Sequence, residues 1–253
     1  MCGRLTLTSA PDEVKGLFGY ADTPNFPPRY NIAPTQPLAI VRQDLGHRRR
    51  FGLVRWGLIP AWVKDPASFT LLVNARAETA AEKPSFRGPM RHHRCLIPAN
   101  GFYEWRRMDG SKQAFFIRPK GGGLLAFAGL FDTWSDPAGG DMDTGLVLTV
   151  PANQSVAAVH DRMPAIVPPQ DFDAWLDCGT VDSRAATRLL RPAPEDLLEL
   201  IPVSSRVNTF ANDDPGVQEP VEDRGPPPPP VRTRKAAEPD DSQFDLFAPP
   251  KGR

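Results

Sequence analysis

Five consecutive prolines, Pro226 to Pro230, set the firmest limit on what this chain can fold into. Proline has no backbone N–H and a fixed φ, so such a run adopts extended polyproline II and enters neither a helix interior nor a sheet. Ten of the thirty prolines fall between Asp213 and Arg253, where apolar periodicity also vanishes. A segment of that composition cannot bury enough apolar surface to offset its ordering entropy. The sequence therefore predicts one folded domain over residues 2–212 and a disordered tail over 213–253.

The charge follows the same division. The whole chain has 30 basic and 30 acidic residues, and residues 213–253 hold 6 and 9 of them, which leaves 24 basic against 21 acidic, or +3, on the domain. That balance permits a local phosphate-binding patch without requiring one. Cys2, Cys95 and Cys178 show no CxxC spacing and are odd in number, so neither a zinc site nor a disulfide framework is indicated, and a reducing compartment is the simpler reading. No apolar run reaches the ~18 residues of a membrane span, and the N-terminus lacks a signal-peptide pattern. A cytoplasmic protein is expected.

Along the domain, Ser9 before Pro11-Asp12-Glu13 reads as the N-cap of a helix stopped by Gly19. Asn25 to Pro34 carries three prolines and reads as irregular structure lining a cleft. Strands are expected at 38–42, 51–56, 95–98, 102–107, 113–118, 124–131 and 146–150, with 102–107 and 113–118 joined as a hairpin through Met108-Asp109-Gly110. A strand end turning into a short helix is read at 73–80, and helices at 153–159, 169–176 and 182–190. Many short strands and few helices, with no βαβ rhythm, predict an α+β fold with a curled, partly closed, barrel-like mixed sheet flanked by short helices.

The chemistry begins at Cys2, which becomes the first residue once Met1 is trimmed. An α-amine titrates near ~7.7–8.0 and a thiol near ~8.5, so each is partly in its nucleophilic form at neutral pH. Such a 1,2-aminothiol condenses with an aldehyde, first to a Schiff base and then to a thiazolidine ring. Glu104 lies between bulky aromatics in Gly101-Phe102-Tyr103-Glu104-Trp105: buried, its pKa would rise toward neutrality, whereas strand alternation could equally send it to solvent. His160 is either a proton shuttle or an ordinary polar residue. Asn74 offers an amide that both donates and accepts. Arg4, Arg76, Arg87 and Arg162 could clamp phosphates, and Trp56 and Trp62 could stack on bases, although solvated arginines and core tryptophans are the commoner case. His92-His93-Arg94-Cys95 suggests a metal, but adjacent residues of an extended segment point to opposite faces, so no metal or other cofactor is expected.

Together these pieces resemble one family. Met1-Cys2-Gly3-Arg4, Tyr30-Asn31-Ile32-Ala33-Pro34, Arg55-Trp56-Gly57-Leu58-Ile59-Pro60, Asn74-Ala75-Arg76-Ala77-Glu78-Thr79, Gly101 to Trp105, His160-Asp161-Arg162-Met163-Pro164 and Val203 to Asn208 occur in the order and approximate spacing of the SOS response-associated peptidases, also described as abasic-site processing proteins. The resemblance implies that family's fold and a covalent crosslinker acting at abasic sites in single-stranded DNA, shielding them during the DNA damage response. By position Cys2 would form the thiazolidine, Asn74 would hold the linkage, Glu104 would be the acid/base, and His160 would assist sugar ring opening and reversal. Arg4, Arg76 and Arg162 would contact phosphates, and Trp62 would wedge between bases. Removal of Met1, by the chain itself or by an aminopeptidase, and a weak lyase activity are further implications. The tail residues Gln243, Leu246 and Phe247 resemble a bacterial sliding-clamp-binding pentapeptide, with Phe244 where leucine is usual, which implies a clamp as partner. The resemblance also fits a nucleoid-associated monomer. A cysteine peptidase acting on other proteins and a non-catalytic single-strand binder remain as alternatives.

Overall fold

The computed structural model describes residues 2–136, 139–223 and 225. Its elements run β1 (Leu5–Leu7), α1 (Pro11–Phe18), β2 (Arg29–Ile32), β3 (Pro37–Gln43), β4 (Arg49–Trp56), β5 (Asn74–Arg76), α2 (Ala77–Ala80), α3 (Pro84–His92), β6 (Arg94–Ala99) and β7 (Gly101–Met108). They continue through β8 (Ser111–Pro119), β9 (Leu125–Ser135), β10 (Asp141–Pro151), α4 (Gln154–Ala157), β11 (Arg162–Pro164), α5 (Phe172–Leu176), α6 (Ser183–Thr187) and β12 (Leu198–Val203). Strands dominate and the helices are short, as the sequence predicts.

Two sheets make the core. Strands β10, β4, β3, β6 and β9 pair in that order, and β9 pairs back onto β10, so this sheet closes as a five-stranded barrel with no free edge. Only the β10–β4 step in that ring is parallel. Val41, Leu96, Ile97, Phe127, Leu130 and Leu146 are fully buried along these strands. Closure demands a close approach at Gly129, where a Cβ would lie 2.6 Å from the Ile97 Cδ1 and 2.9 Å from the Cys95 Sγ. The second sheet, in the order β12-β8-β7-β1-β2, is wholly antiparallel. Its β7 is covered on both faces, with Phe102 in the main core and Tyr103 in a smaller cluster with Phe116 and Val207. Phe102 meets Phe127 of the barrel edge-on at 5.8 Å and joins the two sheets.

Several expectations are corrected. The proline-rich 25–34 segment contains a regular strand, because Arg29–Ile32 falls between Pro28 and Pro34 and pairs with β1. Ala10 occupies the N-cap of α1 without a side-chain bond, and Ser9 instead accepts from the Asn100 amide at 2.9 Å. The real side-chain caps are Asn153 and Asp182, which accept from the Val156 and Ala185 amides. Trp56 is a core residue whose indole N–H donates to the Val73 carbonyl, so it offers no face to a base. Helix α3 and strand β12 were not legible: α3 buries only Phe86, Pro89 and Met90, and β12 has no clean alternation.

The tail begins later than expected. Asp213 accepts from the Tyr30 and Asn31 amides at 2.5 and 2.9 Å and pairs with Arg29. Val217 is buried, Gln218 donates to Thr6 and Tyr103 hydroxyls at 3.1 Å, and Asp223 pairs with Arg106. The domain therefore extends through residue 223. The proline run and the Gln243, Leu246 and Phe247 motif lie outside the described residues. No helix among the described residues is long and apolar enough to cross a membrane.

The packing of this closing segment turns on Asn31, which is fully buried. Its amide nitrogen donates to the carbonyls of Val207, Thr209 and Asn212 at 2.9–3.2 Å, and its oxygen accepts from Arg4 at 2.7 Å. Asn31→Ala leaves these groups unpaired in a site closed to solvent, and should lower stability by about 2–4 kcal/mol. Thermal unfolding checks this, with an expected fall in Tm of about 10 °C.

Candidate active site at the seam between the sheets

The first residues run along β7. Leu5 pairs with Phe102 and Thr6 with Gly101, and the Tyr103 amide donates to the Arg4 carbonyl at 3.0 Å, which carries the ladder toward Glu104. Side chains alternate along a strand, so Glu104 projects on the same face as Phe102, toward the barrel, while Tyr103 and Trp105 point away. Both faces of β7 are covered, and Glu104 is only 3% exposed. This decides the question that alternation alone left open.

Burial first, and the nearby Asp161 charge to a lesser degree, raise the Glu104 carboxyl, whereas the chain's amino-terminal charge and the Trp105 amide pull it down; the result is about 7. An acid poised there is half ionised near neutrality, as a group that must both give and take a proton requires.

Cys2 is fully buried. Burial, reinforced by the Glu104 charge, pushes its thiol well above the ordinary cysteine range. The thiolate fraction expected from a free cysteine is therefore corrected: the sulfur rests as a neutral thiol, 3.7 Å from the Arg4 carbonyl it donates to. From the barrel side, β5 lies parallel to β10 with Asn74 opposite Val147. Ala75 faces the core, so Asn74 and Arg76 share the other side, and the Asn74 Nδ2 donates to the Cys2 carbonyl at 2.7 Å. The Asn74 Oδ1 is buried with no hydrogen-bond partner among the described residues, an acceptor left open beside Cys2.

His160 stands between α4 and β11, carried on the turn that brings the chain back beside β10. Its Nδ1 accepts from the Arg162 amide at 3.0 Å, which leaves the proton of the neutral ring on Nε2. Burial first, then the amino-terminal charge, lower its pKa, with Asp161, 3.0 Å from Nδ1, acting in the opposite direction. His160 is thus a neutral imidazole at physiological pH, within electrostatic reach of the amino terminus. Cys2, Asn74, Glu104 and His160 come together in this way from four separate stretches of chain.

The cationic and aromatic residues divide. Arg4 donates to Asn31, Val207 and Asn208 at 2.6–3.0 Å, and Arg162 forms a two-pronged pair with Glu78 at 2.7 and 2.9 Å while also bonding the Thr149 carbonyl. The expectation that these two present open forks to phosphates is corrected: both spend their donors inside the domain. Arg76 and Arg87 are exposed, and Trp62 is 59% exposed with its ring edge-on to Phe69 at 5.7 Å. His93 lies 3.3 Å from Asp132 while Arg94 and Cys95 are buried in β6, so the His-rich run is split across the barrel wall.

Sequence reasoning missed Asp161, Thr149 and Asp132. The first adjoins His160 in sequence, but nothing local shows that its charge acts on Glu104 and His160. The others carry no local signal at all. A cleft of about 680 Å³ between Lys112, Ser205, Asn208 and Asp223 does not reach Cys2. Size alone does not identify the site, whereas the clustering of shifted groups does.

With the geometry in place, comparison with known proteins is informative. A model of the SOS response associated peptidase (SRAP) family matches residues 1–210. Over 219 residues the chain is 40% identical to the abasic site processing protein YoqW of Bacillus subtilis (strain 168), covering 85% of this chain and 97% of that one. It is 33% identical over 265 residues to the abasic site processing protein HMCES of Gallus gallus, covering 88% and 78% respectively. A crystal structure of a protein from Bacteroides thetaiotaomicron shares the fold with a TM-score of 0.78 at 24% identity, covering 87% of this chain and 100% of that one. One from Bordetella bronchiseptica matches with a TM-score of 0.70 at 26% identity, covering 80% and 100%. The chain belongs to the SOS response associated peptidase (SRAP) family.

Proposed function

We propose that this protein processes abasic sites, the activity for which its relatives YoqW and HMCES are named, by forming a covalent thiazolidine between Cys2 and the ring-opened aldehyde of an abasic site in single-stranded DNA. The observation that carries the reading is the seating of Cys2: its carbonyl is held by Asn74, and a carboxyl poised near 7 lies within its electrostatic reach.

Removal of Met1, by the chain or by an aminopeptidase, exposes the Cys2 α-amine at this point. The deoxyribose ring opens when its hemiacetal hydroxyl gives up a proton and its ring oxygen gains one, a transfer suited to the neutral His160 with its proton on Nε2. The amine then attacks C1′. Protonated Glu104 gives its proton to the carbinolamine hydroxyl, water leaves, and an imine forms. The neutral Cys2 thiol adds to the imine carbon and loses its proton as the nitrogen gains one, with Glu104 as the carrier. The net change is aldehyde plus aminothiol to thiazolidine plus one water. Asn74 fixes the Cys2 backbone throughout, and its open Oδ1 can accept from a sugar hydroxyl or the new ring N–H. An imine that escapes ring closure can lose the 3′ phosphate by β-elimination, a weak lyase side reaction. The crosslink would shield the lesion during the DNA damage response. A peptidase acting on other proteins is less well supported, since its nucleophile would be a buried, protonated thiol.

The protein lacking Met1 should give a heat-stable shifted band with abasic single-stranded DNA on a denaturing gel, and Cys2→Ala should give none. Retention of Met1 together with binding but no shifted band would favour the plain single-strand binder. The crosslinking rate should follow a bell in pH, level between about pH 7 and 8, falling above about pH 8, where loss of the Glu104 proton is no longer offset by a gain in free amine, and falling below about pH 7 as the α-amine is protonated. Glu104→Gln should remove the upper inflection and slow the reaction by about 10²–10⁴.

The same carboxyl carries a stability consequence. Its folded pKa near 7 lies above the unfolded value of about 4.3, so the stability it contributes is complete below pH ~4 and is lost as pH rises toward 7. Relative to wild type, Glu104→Gln should therefore gain up to about 3 kcal/mol between pH 4 and pH 8. Denaturant unfolding at the two pH values measures that difference.

A further inference from the structure

Trp62, the loop before it and helix α3 wall a cleft of about 590 Å³, with Arg87 on its rim and Asp132 among its lining residues. We propose that this cleft is a guanine-selective subsite for an unpaired base flanking the abasic site, with Trp62 as the stacking platform and Asp132 as the residue that reads the base. The proposal rests on the abasic-site reading above and adds a base preference to it.

The walls are suited to a base. Pro60, Ala61, Trp62, Pro84 and Pro89 are apolar, and Trp62 stays 59% exposed although Phe69 packs perpendicular to it. A large exposed indole beside a cleft is a site on which a base can stack. The feature that selects is the carboxylate. Asp132 is 9% exposed and is held by the Ala61 amide at 3.3 Å and the Thr133 amide at 3.1 Å, with the His93 Nδ1 at 3.3 Å. These contacts are few and long for a group with two oxygens and about four acceptor sites, so it can still accept.

A buried carboxylate repels phosphate, so the strand's backbone belongs on the Arg87 rim and a base belongs inside. Guanine alone presents two adjacent donors, N1–H and N2–H, on its Watson–Crick edge, which match the two oxygens of a carboxylate in parallel. Thymine has one donor between two carbonyls, and adenine and cytosine each set one amino group beside a ring nitrogen acceptor. All three would turn an acceptor toward Asp132.

The register fixes the backbone separation between Asp132 and Asn74. Asp132 lies opposite Thr144 on one edge of β10 and Asn74 opposite Val147 on the other. Three residues along and two strands across amounts to about 14 Å. The proposal requires a single strand leaving Asn74 to reach Trp62 within a few nucleotides, and the flanking position at which dG is favoured measures that span.

The test uses the full chain and oligothymidylates that carry one abasic site and a single dG moved through each flanking position in turn. One position should raise the wild-type crosslinking rate by at least about fivefold over thymine, the low end of discrimination by a two-point base contact. Asp132→Asn, which keeps one of the two carboxylate oxygens and puts donors in place of the other, should abolish that preference while crosslinking all-thymine substrate at the wild-type rate. A flat wild-type profile, or an Asp132→Asn protein that retains the preference, would overturn the proposal. If no crosslink forms at all, equilibrium binding of the same oligonucleotides is read instead: a dG preference lost in Asp132→Asn upholds the cleft and sinks only the crosslinking reading, and equal binding of dG and dT sinks the cleft.

Discussion

The buried amide of Asn31 is the interaction on which the rest of this structure depends. It joins the first strand of the domain, through Arg4, to three carbonyls of residues more than 170 positions away. No water reaches the site to replace those bonds, so the segments dock together or not at all. Asp213 repeats the arrangement by accepting from two β2 amides and Arg29. The outcome is a pinned Arg4 only two residues from Cys2. A chain end is ordinarily the least ordered part of a domain, and here it is fixed well enough for its carbonyl to meet the Asn74 amide at 2.7 Å.

What the pinned end meets is an unfavourable environment for charge. Glu104 and Cys2 are both buried and both shifted toward their neutral forms. Burial alone does not make a site, as Cys95 demonstrates: it is equally buried and its thiol is also pushed up, yet it lies in the barrel wall where desolvation and the distant Cys178 are what raise it. Cys2 differs in its neighbours, which supply a carboxyl near 7, a neutral imidazole and an amide with an open acceptor. A domain selected only for stability would not place a carboxylate opposite a buried thiol, and that local cost is typical of functional sites.

The barrel strands, the β7–β8 hairpin with its turn at Asp109-Gly110 and the glycine stop of α1 were legible in the sequence because each rests on local chemistry: apolar patterning, turn residues and capping. The strand at 29–32 was hidden by flanking prolines that turn out to bracket it. Helix α3 was hidden because its core contacts come from a wall of barrel rather than from an apolar stripe of its own. At the site, the residue types and their motifs were readable, but the protonation of Cys2 and the burial of Glu104 were not. Both depend on the barrel face of β7 being covered, and that is decided by barrel strands distant in sequence. The folding of 213–223 was missed for the same reason, since Asp213 and Val217 are meaningful only beside β2 and the Tyr103 cluster.

The arginines show how a shared motif can conflate two tasks. Arg4 and Arg162 stand in motifs with the candidate site residues Cys2 and His160 and read naturally as phosphate clamps, yet one locks the closing segment and the other holds Glu78 across β10. Arg162 neutralised by Glu78 lends little net field to the surface, and Arg4 is committed to three internal acceptors. Through residue 223 the domain carries 24 basic against 26 acidic residues, no positive excess, so the field available for an incoming strand falls to exposed groups such as Arg76 and Arg87. Counterion release scales with the number of phosphates neutralised, and a few contacts give a weak, readily reversed encounter. Under the proposed mechanism, a covalent bond at Cys2 would supply the residence time that so modest an electrostatic hold does not, and weak prior binding would let the protein leave strands that contain no aldehyde.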